Sequence, residues 1–159
     1  MKCAVYPGTF DPITVGHIDI AIRSAKLFDQ VYVLILDHQA KQTLFTLDER
    51  YSLCERALAS FPNIKVCTYD GLTLDFARSV HAAALIRGVR QVKDYEYEWN
   101  QAACNAHIDS NIETILLFAQ AEHAFISSSA VKDFARYHQN LEGLVCKEVA
   151  QALEAKFRD

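Results

Sequence analysis

Residues 2–17 read KCAVYPGTFDPITVGH, and the fold turns on how this stretch is read. Lys2 to Tyr6 is a short apolar run ended by Pro7-Gly8, which predicts a buried strand. From Gly16 the pattern turns helical, with Ile18, Ala21, Ile22, Ala25 and Phe28 on one face. Between strand and helix the turn residues Pro7-Gly8 and Asp11-Pro12 hold a tight loop. A helix start at the carboxyl end of a strand offers free N–H groups and a positive dipole end, which suits phosphate. Gly16 would let a ligand or a neighbouring backbone come close. A lone histidine in the first helical turn reads as a surface or capping group; beside Gly16, after such a loop, His17 reads as a phosphate donor.

The same alternation continues along the chain. Val31 to Leu36, VYVLIL, is too continuously apolar for a sheet with one wet face. After a loop from Asp37 to Phe45, Thr46 and Glu49 form a capping box, and Leu47, Tyr51, Cys54 and Leu58 continue as a helix face. Further strands are expected at Ile64 to Thr68, at Ala83 to Ile86 ending at Arg87, and at Thr114 to Phe118. Helices are expected over Leu72 to Val80, along the stripe Tyr95, Trp99, Ala102 and Ala106, over Ser128 to Tyr137, and over Val145 to Phe157. Five strands interleaved with helices predict an α/β fold: a Rossmann-like, doubly wound five-stranded parallel sheet with helices on both faces. The 159 residues fit one domain. Ligands of such sheets sit beyond the carboxyl ends of the strands, where Thr9 to His17, Lys41, Arg87 to Arg90 and Ser127 to Ser129 fall.

Bulk properties exclude several classes. A net charge of −4 argues against general nucleic-acid binding, while leaving room for a local positive pocket. No apolar run approaches a membrane span, and the N-terminus lacks a secretory h-region. The five cysteines are odd in number and irregularly spaced, without C-x-x-C, so a reduced cytoplasmic compartment is expected, with no disulfide and no structural zinc. Cys3, Cys54 and Cys67 sit in apolar patterns as small core residues, while His81, His107 and His138 read as surface or capping groups. The stripe of Tyr95, Trp99 and Ala102 reads as core or subunit contact. Neither G-x-G-x-x-G nor G-x-x-x-x-G-K-[ST] occurs, which disfavours dinucleotide and P-loop sites.

Thr14-Val15-Gly16-His17 resembles the [HT]-x-G-H signature of the nucleotidyltransferase superfamily, and Ile126-Ser127-Ser128-Ser129 with Val131-Lys132 resembles its I-S-S-[ST] motif. Arg87-Gly88-Val89-Arg90, Asp94-Tyr95-Glu96-Tyr97-Glu98 and Asn105 resemble the R-G-x-R…D-x-E-Y-E…N pattern of the bacterial phosphopantetheine adenylyltransferases, as do the opening loop and Phe45-Thr46-Leu47-x-Glu49-Arg50. The likeness covers nearly the whole chain. It implies reversible adenylyl transfer from ATP to 4′-phosphopantetheine, giving dephospho-coenzyme A and pyrophosphate. By resemblance, the catalytic residues are His17, Lys41 and Arg90, and acceptor binding falls to Thr9, Lys41, Thr73 and Arg87. The ATP site takes Thr9, Phe10, His17, Gly88, Val89, Arg90, Glu98, His123, Ala124, Phe125, Ile126, Ser127, Ser128 and Ser129.

The resemblance further implies Mg²⁺ carried mainly by phosphates and water with no protein metal cage, a homohexamer, and coenzyme A as a feedback ligand. Neither nucleic acid nor membrane is an expected partner. Gln42-Thr43, Asp37-His38-Gln39, Thr73 and Cys146 depart from the family pattern. Other superfamily members, a cytidylyltransferase or a nicotinate-mononucleotide adenylyltransferase, and a nucleotide sensor without turnover are the competing readings.

The chemistry fits the residue types. A phosphate monoester with a second pKa of about 6 is already mostly dianionic at neutral pH and needs no general base. What must be overcome is repulsion between two anions, and positioned donors do that.

Overall fold

The computed structural model describes residues 1–37 and 42–158. In chain order the elements are β1 (Cys3–Gly8), α1 (Val15–Ala25), β2 (Gln30–Leu36), α2 (Leu47–Leu58), β3 (Ile64–Tyr69) and α3 (Thr73–Ser79). They continue with β4 (Ala82–Val89), α4 (Val92–Ile108), β5 (Glu113–Phe118), a 3₁₀ turn at Ala121–His123, α5 (Ser128–Arg136) and α6 (Lys147–Lys156). The sheet runs β3-β2-β1-β4-β5, and every neighbouring pair is parallel. The chain winds outward from β1 through β2 to β3, then crosses back to β4 on the other side of β1. That reversal sets the switch point between β1 and β4.

Side chains alternate between two cores, as parallel strands covered on both faces require. Ala4, Tyr6, Val33, Ile35, Ala84 and Ile86 enter the larger core with residues of α1, α2, α5 and α6. Val5, Leu34 and Leu85 face the smaller core with Leu74, Phe76 and Ala77 of α3. On that side an ion pair of 2.7 Å joins Arg78 of α3 to Asp109 at the end of α4.

Local signals set most of the boundaries. Thr46 accepts from Glu49 N–H while Glu49 accepts from Thr46 N–H, the expected capping box of α2. His81 and His138, just past α3 and α5, take positive φ of 52° and 54°, so they serve as helix-ending residues. All five cysteines are free. Among the described residues no helix is long and apolar enough to cross a membrane.

Three expectations shift. Strand β4 runs to Val89, so Arg87, Gly88 and Val89 belong to the strand; pairing with Leu116, Leu117 and Phe118 of β5 holds them there. On α1 the expected face holds at Ala21 and Phe28, which are buried, and at Ile18 and Ala25, which pack against the core, but Ile20 and Ser24 are buried in place of Ile22. The Tyr95–Trp99 stripe of α4 is not core: Trp99 is 65% exposed, and Glu98 is the buried residue of that helix.

Candidate active site

The β1–β4 ladder pairs Cys3 with Ala82, Ala4 with Ala84 and Val5 with Leu85, and goes no further. Beyond it the two strands part, and a cavity of about 400 Å³ opens at their carboxyl ends. The Pro7 carbonyl, left without a ladder partner on that side, accepts from Arg87 Nη1 at 2.8 Å. Backbone separation thus creates both the space and an anchor for the cation beside it.

Arg87 is held further by Glu98, which accepts from Nε and Nη2 at 2.8 Å each. Burial alone would lower the arginine pKa, but the bidentate carboxylate more than offsets it and keeps the guanidinium charged. Among the described residues, one hydrogen each on Nη1 and Nη2 is left for a ligand. Glu98 lines the cavity, yet both its oxygens are engaged by Arg87, so its contribution is to orient that arginine. Arg90 donates to the Ile126 carbonyl at 2.9 Å, which ties the end of β4 to the segment leading into α5. Its backbone N–H and that of Gln91 both donate to Asp94.

His17 is built into the start of α1. Thr14 is the N-cap and its hydroxyl accepts from His17 N–H, while the Thr14 N–H donates to His17 Nδ1 at 3.1 Å. An Nδ1 that accepts is unprotonated, so the neutral ring carries its hydrogen on Nε2. Burial of the ring, then the charges of Arg90 and Arg87, hold its pKa down at about 4. His17, expected as a phosphate donor, is therefore a neutral hydrogen-bond donor at physiological pH.

Phe10 sits at φ 49° with its buried ring edge-on to Tyr6 and to His17, at centroid distances of 5.4 and 5.1 Å. A Cβ at Gly8 would lie 2.9 Å from that ring, which is why glycine stands there. With its ring packed inward, Phe10 offers a ligand its backbone. At Gly16 a Cβ would make only ordinary contacts, with Thr14 and His123, so no neighbouring backbone requires this glycine and its open side faces the cavity.

Helix α5 closes the far wall. Ser127 caps it by accepting from Ala130 N–H, Ser128 donates its hydroxyl to the Pro12 carbonyl, and the first-turn N–H groups lack helical partners. Thus Thr9, Phe10, His17, Arg87, Gly88, Arg90, Glu98, His123, Ile126, Ser127, Ser128 and Ser129 gather around one cavity. Val89 is buried, Ala124 and Phe125 lie outside the lining, and Phe125 is largely exposed. Thr73, at the first turn of α3 beyond β3, also stands apart from the cavity. Lys41 lies outside the described residues.

Two buried charges lie outside the expected ligand set, Arg50 and Asp11. Arg50 is 1% exposed and donates to the carbonyls of Thr9 and Leu36 and to Asp37. Its spacing three after Leu47 and four before Cys54 places it on the buried face of α2, a signal that was available. Asp11 is 4% exposed and accepts from the N–H groups of Leu44 and Phe45 and from Lys132 Nζ. Burial would raise its pKa, but Lys132 and the two amides together hold it below the usual carboxylate value.

Residues 5–134 match the cytidylyltransferase-like family model. A phosphopantetheine adenylyltransferase of Desulforudis audaxviator is 46% identical over 157 residues, covering 99% of this chain and 96% of its own. Its counterpart from Thermomicrobium roseum is 46% identical over 158 residues, covering 98% and 95%. That of Symbiobacterium thermophilum is 43% identical over 154 residues, covering 97% and 95%. The chain belongs to the phosphopantetheine adenylyltransferases within the cytidylyltransferase-like family. A solved structure described as a candidate nicotinate-nucleotide adenylyltransferase from Vibrio parahaemolyticus superposes with a TM-score of 0.74 over 100% of this chain and 98% of that one. At 14% identity that likeness speaks to the fold alone.

Proposed function

We propose that this chain transfers the adenylyl group of ATP, reversibly, to 4′-phosphopantetheine, giving dephospho-coenzyme A and pyrophosphate in the penultimate step of coenzyme A synthesis. The supporting observation is the neutral His17, fixed by Thr14 with its remaining N–H available, beside Arg87 and Arg90 at one cavity. The acceptor phosphate attacks the α-phosphorus in line, and no covalent enzyme intermediate forms. His17 Nε2–H donates to an α-phosphate oxygen as charge gathers there, a contribution of about 3 kcal/mol for one such donor. Arg87 and Lys41 hold the acceptor phosphate; Thr9 meets both substrates, and Thr73 lies along the pantetheine arm. Arg90, Gly88 at the β4 end, His123, and Ile126 to Ser129 with the α5 N-terminus take the nucleotide.

Of the cavity's acids, Glu98 gives both oxygens to Arg87 and Asp94 gives Oδ2 to the amides of Arg90 and Gln91, while Thr9 and the α5 serines offer neutral oxygens. That donor set fits Mg²⁺ carried by the triphosphate through phosphate oxygens and water, where the ion neutralises phosphate charge. The whole chain acts as one domain, in the reducing cytoplasm, with coenzyme A as a feedback ligand of the same cavity. The exposed Tyr95 and Trp99, stacked at 6.5 Å, support assembly into a homohexamer through α4.

An assay with ATP, Mg²⁺ and 4′-phosphopantetheine, following dephospho-coenzyme A by mass, tests the reading. Saturable ATP binding without that product would replace it with a nucleotide sensor, and product with CTP or nicotinate mononucleotide in place of the expected partners would replace it with another transferase of the class.

A further inference from the structure

Tyr6 lies in β1 one residue beyond the last pair of the β1–β4 ladder, Val5 with Leu85, and keeps its pairing with Val33 of β2 on the other side. Its ring belongs to the larger core, 5% exposed and edge-on to Phe10 at 5.4 Å. The side chain does not end there. It reaches the cavity, whose wall it shares with Arg87, Gly88 and Arg90. A Cβ at Gly88 would stand 3.9 Å from Tyr6 Oη, so the hydroxyl lies against the end of β4, at the point where the two strands part.

Among the described residues no group takes this hydroxyl's hydrogen. The acceptors nearby are committed: both oxygens of Glu98 and the Pro7 carbonyl serve Arg87, and the Ile126 carbonyl serves Arg90. Nor is the oxygen sealed in. The unpartnered side-chain atoms that are fully closed off are Arg50 Nε and His123 Nδ1, while Tyr6 opens on the cavity.

Core packing does not account for that oxygen. A phenylalanine would fill the same space against Phe10, and a nearly buried hydroxyl without a partner costs stability. Burial holds the phenol pKa above its ordinary value against the pull of Arg87 and Arg90, so at neutral pH the group keeps its proton and stands as a donor. The same two arginines act on His17. A donor in the field of two cations favours an acceptor that brings negative charge. We propose that Tyr6 is a substrate-binding residue whose Oη–H donates to a phosphate oxygen of the ligands bound where β1 and β4 part, beside His17 and the two arginines. The proposal rests on the proposed reaction, in which both substrates bring phosphate to this cavity.

Tyr6→Phe tests it, since the change removes one oxygen and leaves the ring in the core. The measurements are steady-state kinetics with each substrate varied in turn, calorimetric titration with ATP, with 4′-phosphopantetheine and with unphosphorylated pantetheine, and the melting temperature. The variant should lose roughly tenfold in kcat/KM, the scale of one hydrogen bond to a charged partner, while melting at the same temperature as wild type or higher, because no bond within the protein is broken. Weaker ATP binding would place the contact on a nucleotide phosphate. Weaker binding of 4′-phosphopantetheine, with pantetheine unaffected, would place it on the acceptor phosphate. A lower kcat with both affinities kept would place it on the phosphate being transferred. Unchanged kinetics and affinities would overturn the proposal. So would a lowered melting temperature alongside the lost activity, which marks a core role, or an equal loss for pantetheine, which marks a contact away from phosphate. Wild type that makes no dephospho-coenzyme A would refute the reaction itself, and the titrations would still read the hydroxyl, so the two failures stay separate.

Discussion

Replacing His17 by Gln isolates the proton economy of the site. Gln at the third helical position can still accept from the N-cap N–H, so the capping box at Thr14 survives while the titrating ring is lost. In the native protein the imidazole pKa is held at about 4, against 6.5 for the free side chain. Between those values the unfolded chain binds a proton that the native chain refuses. Stability contributed by a neutral His17 is therefore present above 6.5 and is lost as the pH falls toward 4. At about pH 5 the loss is about 2 kcal/mol, and over the full window it reaches roughly 3 kcal/mol.

The assay is chemical denaturation of wild type and His17→Gln at neutral pH and at about pH 5. The other five histidines, of six in the chain, are common to both proteins, so the difference between the two slopes reports His17. Wild type should lose about 2 kcal/mol more than the variant on acidification. Following the imidazole Cε1 proton by NMR gives the same quantity directly. Parallel stability curves, or a His17 resonance with its midpoint near 6.5, would refute the neutral-donor geometry. In turnover the variant should lose roughly a hundredfold in kcat, the equivalent of one transition-state donor.

Glu98→Gln removes one of the two carboxylate oxygens that receive Arg87; we expect a loss of about 2 kcal/mol, below the fully buried case because Arg87 is partly exposed, measured by denaturant titration alongside a raised acceptor KM. Ser127→Ala deletes the cap of α5 and should cost about 1 kcal/mol with a weaker affinity for ATP, read by thermal melts and calorimetric titration. Trp99→Glu places a charge on the exposed face of α4 and should shift the sedimentation profile toward smaller species without altering the circular-dichroism spectrum.

What the sequence made legible was local. The run Val31 to Leu36, the Thr46–Glu49 box and the serine-led start of α5 each carry their signal within four to six residues, and the structure has β2, α2 and α5 at those places. What it concealed depends on contacts between distant segments. Ser24 lies in the core because its hydroxyl finds the Ile20 carbonyl at 2.7 Å, which hydrophobic periodicity does not weigh. Arg87-Gly88 looks like the start of a loop by composition, yet β5 pairs with it and keeps it in the strand. Arg50 falls on the right face by spacing, but its acceptors lie 41 and 14 residues away, at Thr9 and Leu36. The gathering of His17, Arg87, Arg90 and the α5 serines was readable from strand ends in a doubly wound sheet. The protonation state of His17 was not, because it is set by burial and by two arginines in and just beyond another strand.

That protonation state changes how the cavity works. Read as a cluster of positive charge, the site would attract any polyanion and would hold pyrophosphate and dephospho-coenzyme A as firmly as the substrates. The geometry is different: Arg87 is matched by Glu98, Arg90 lies 3.5 Å from Asp94, and His17 carries no charge. Among the described residues, local charge is close to balanced before any ligand arrives, and they offer a set of fixed N–H directions from arginine edges, one imidazole and two helix starts. Oriented dipoles of this kind stabilise charge where it develops without demanding reorganisation, and they discriminate a transition state from a ground state better than net charge does. The bidentate grip of Glu98 on Arg87 and the Thr14 bond to His17 are thus as necessary to the proposed chemistry as the donors themselves, because each fixes a direction that an unrestrained side chain would lose.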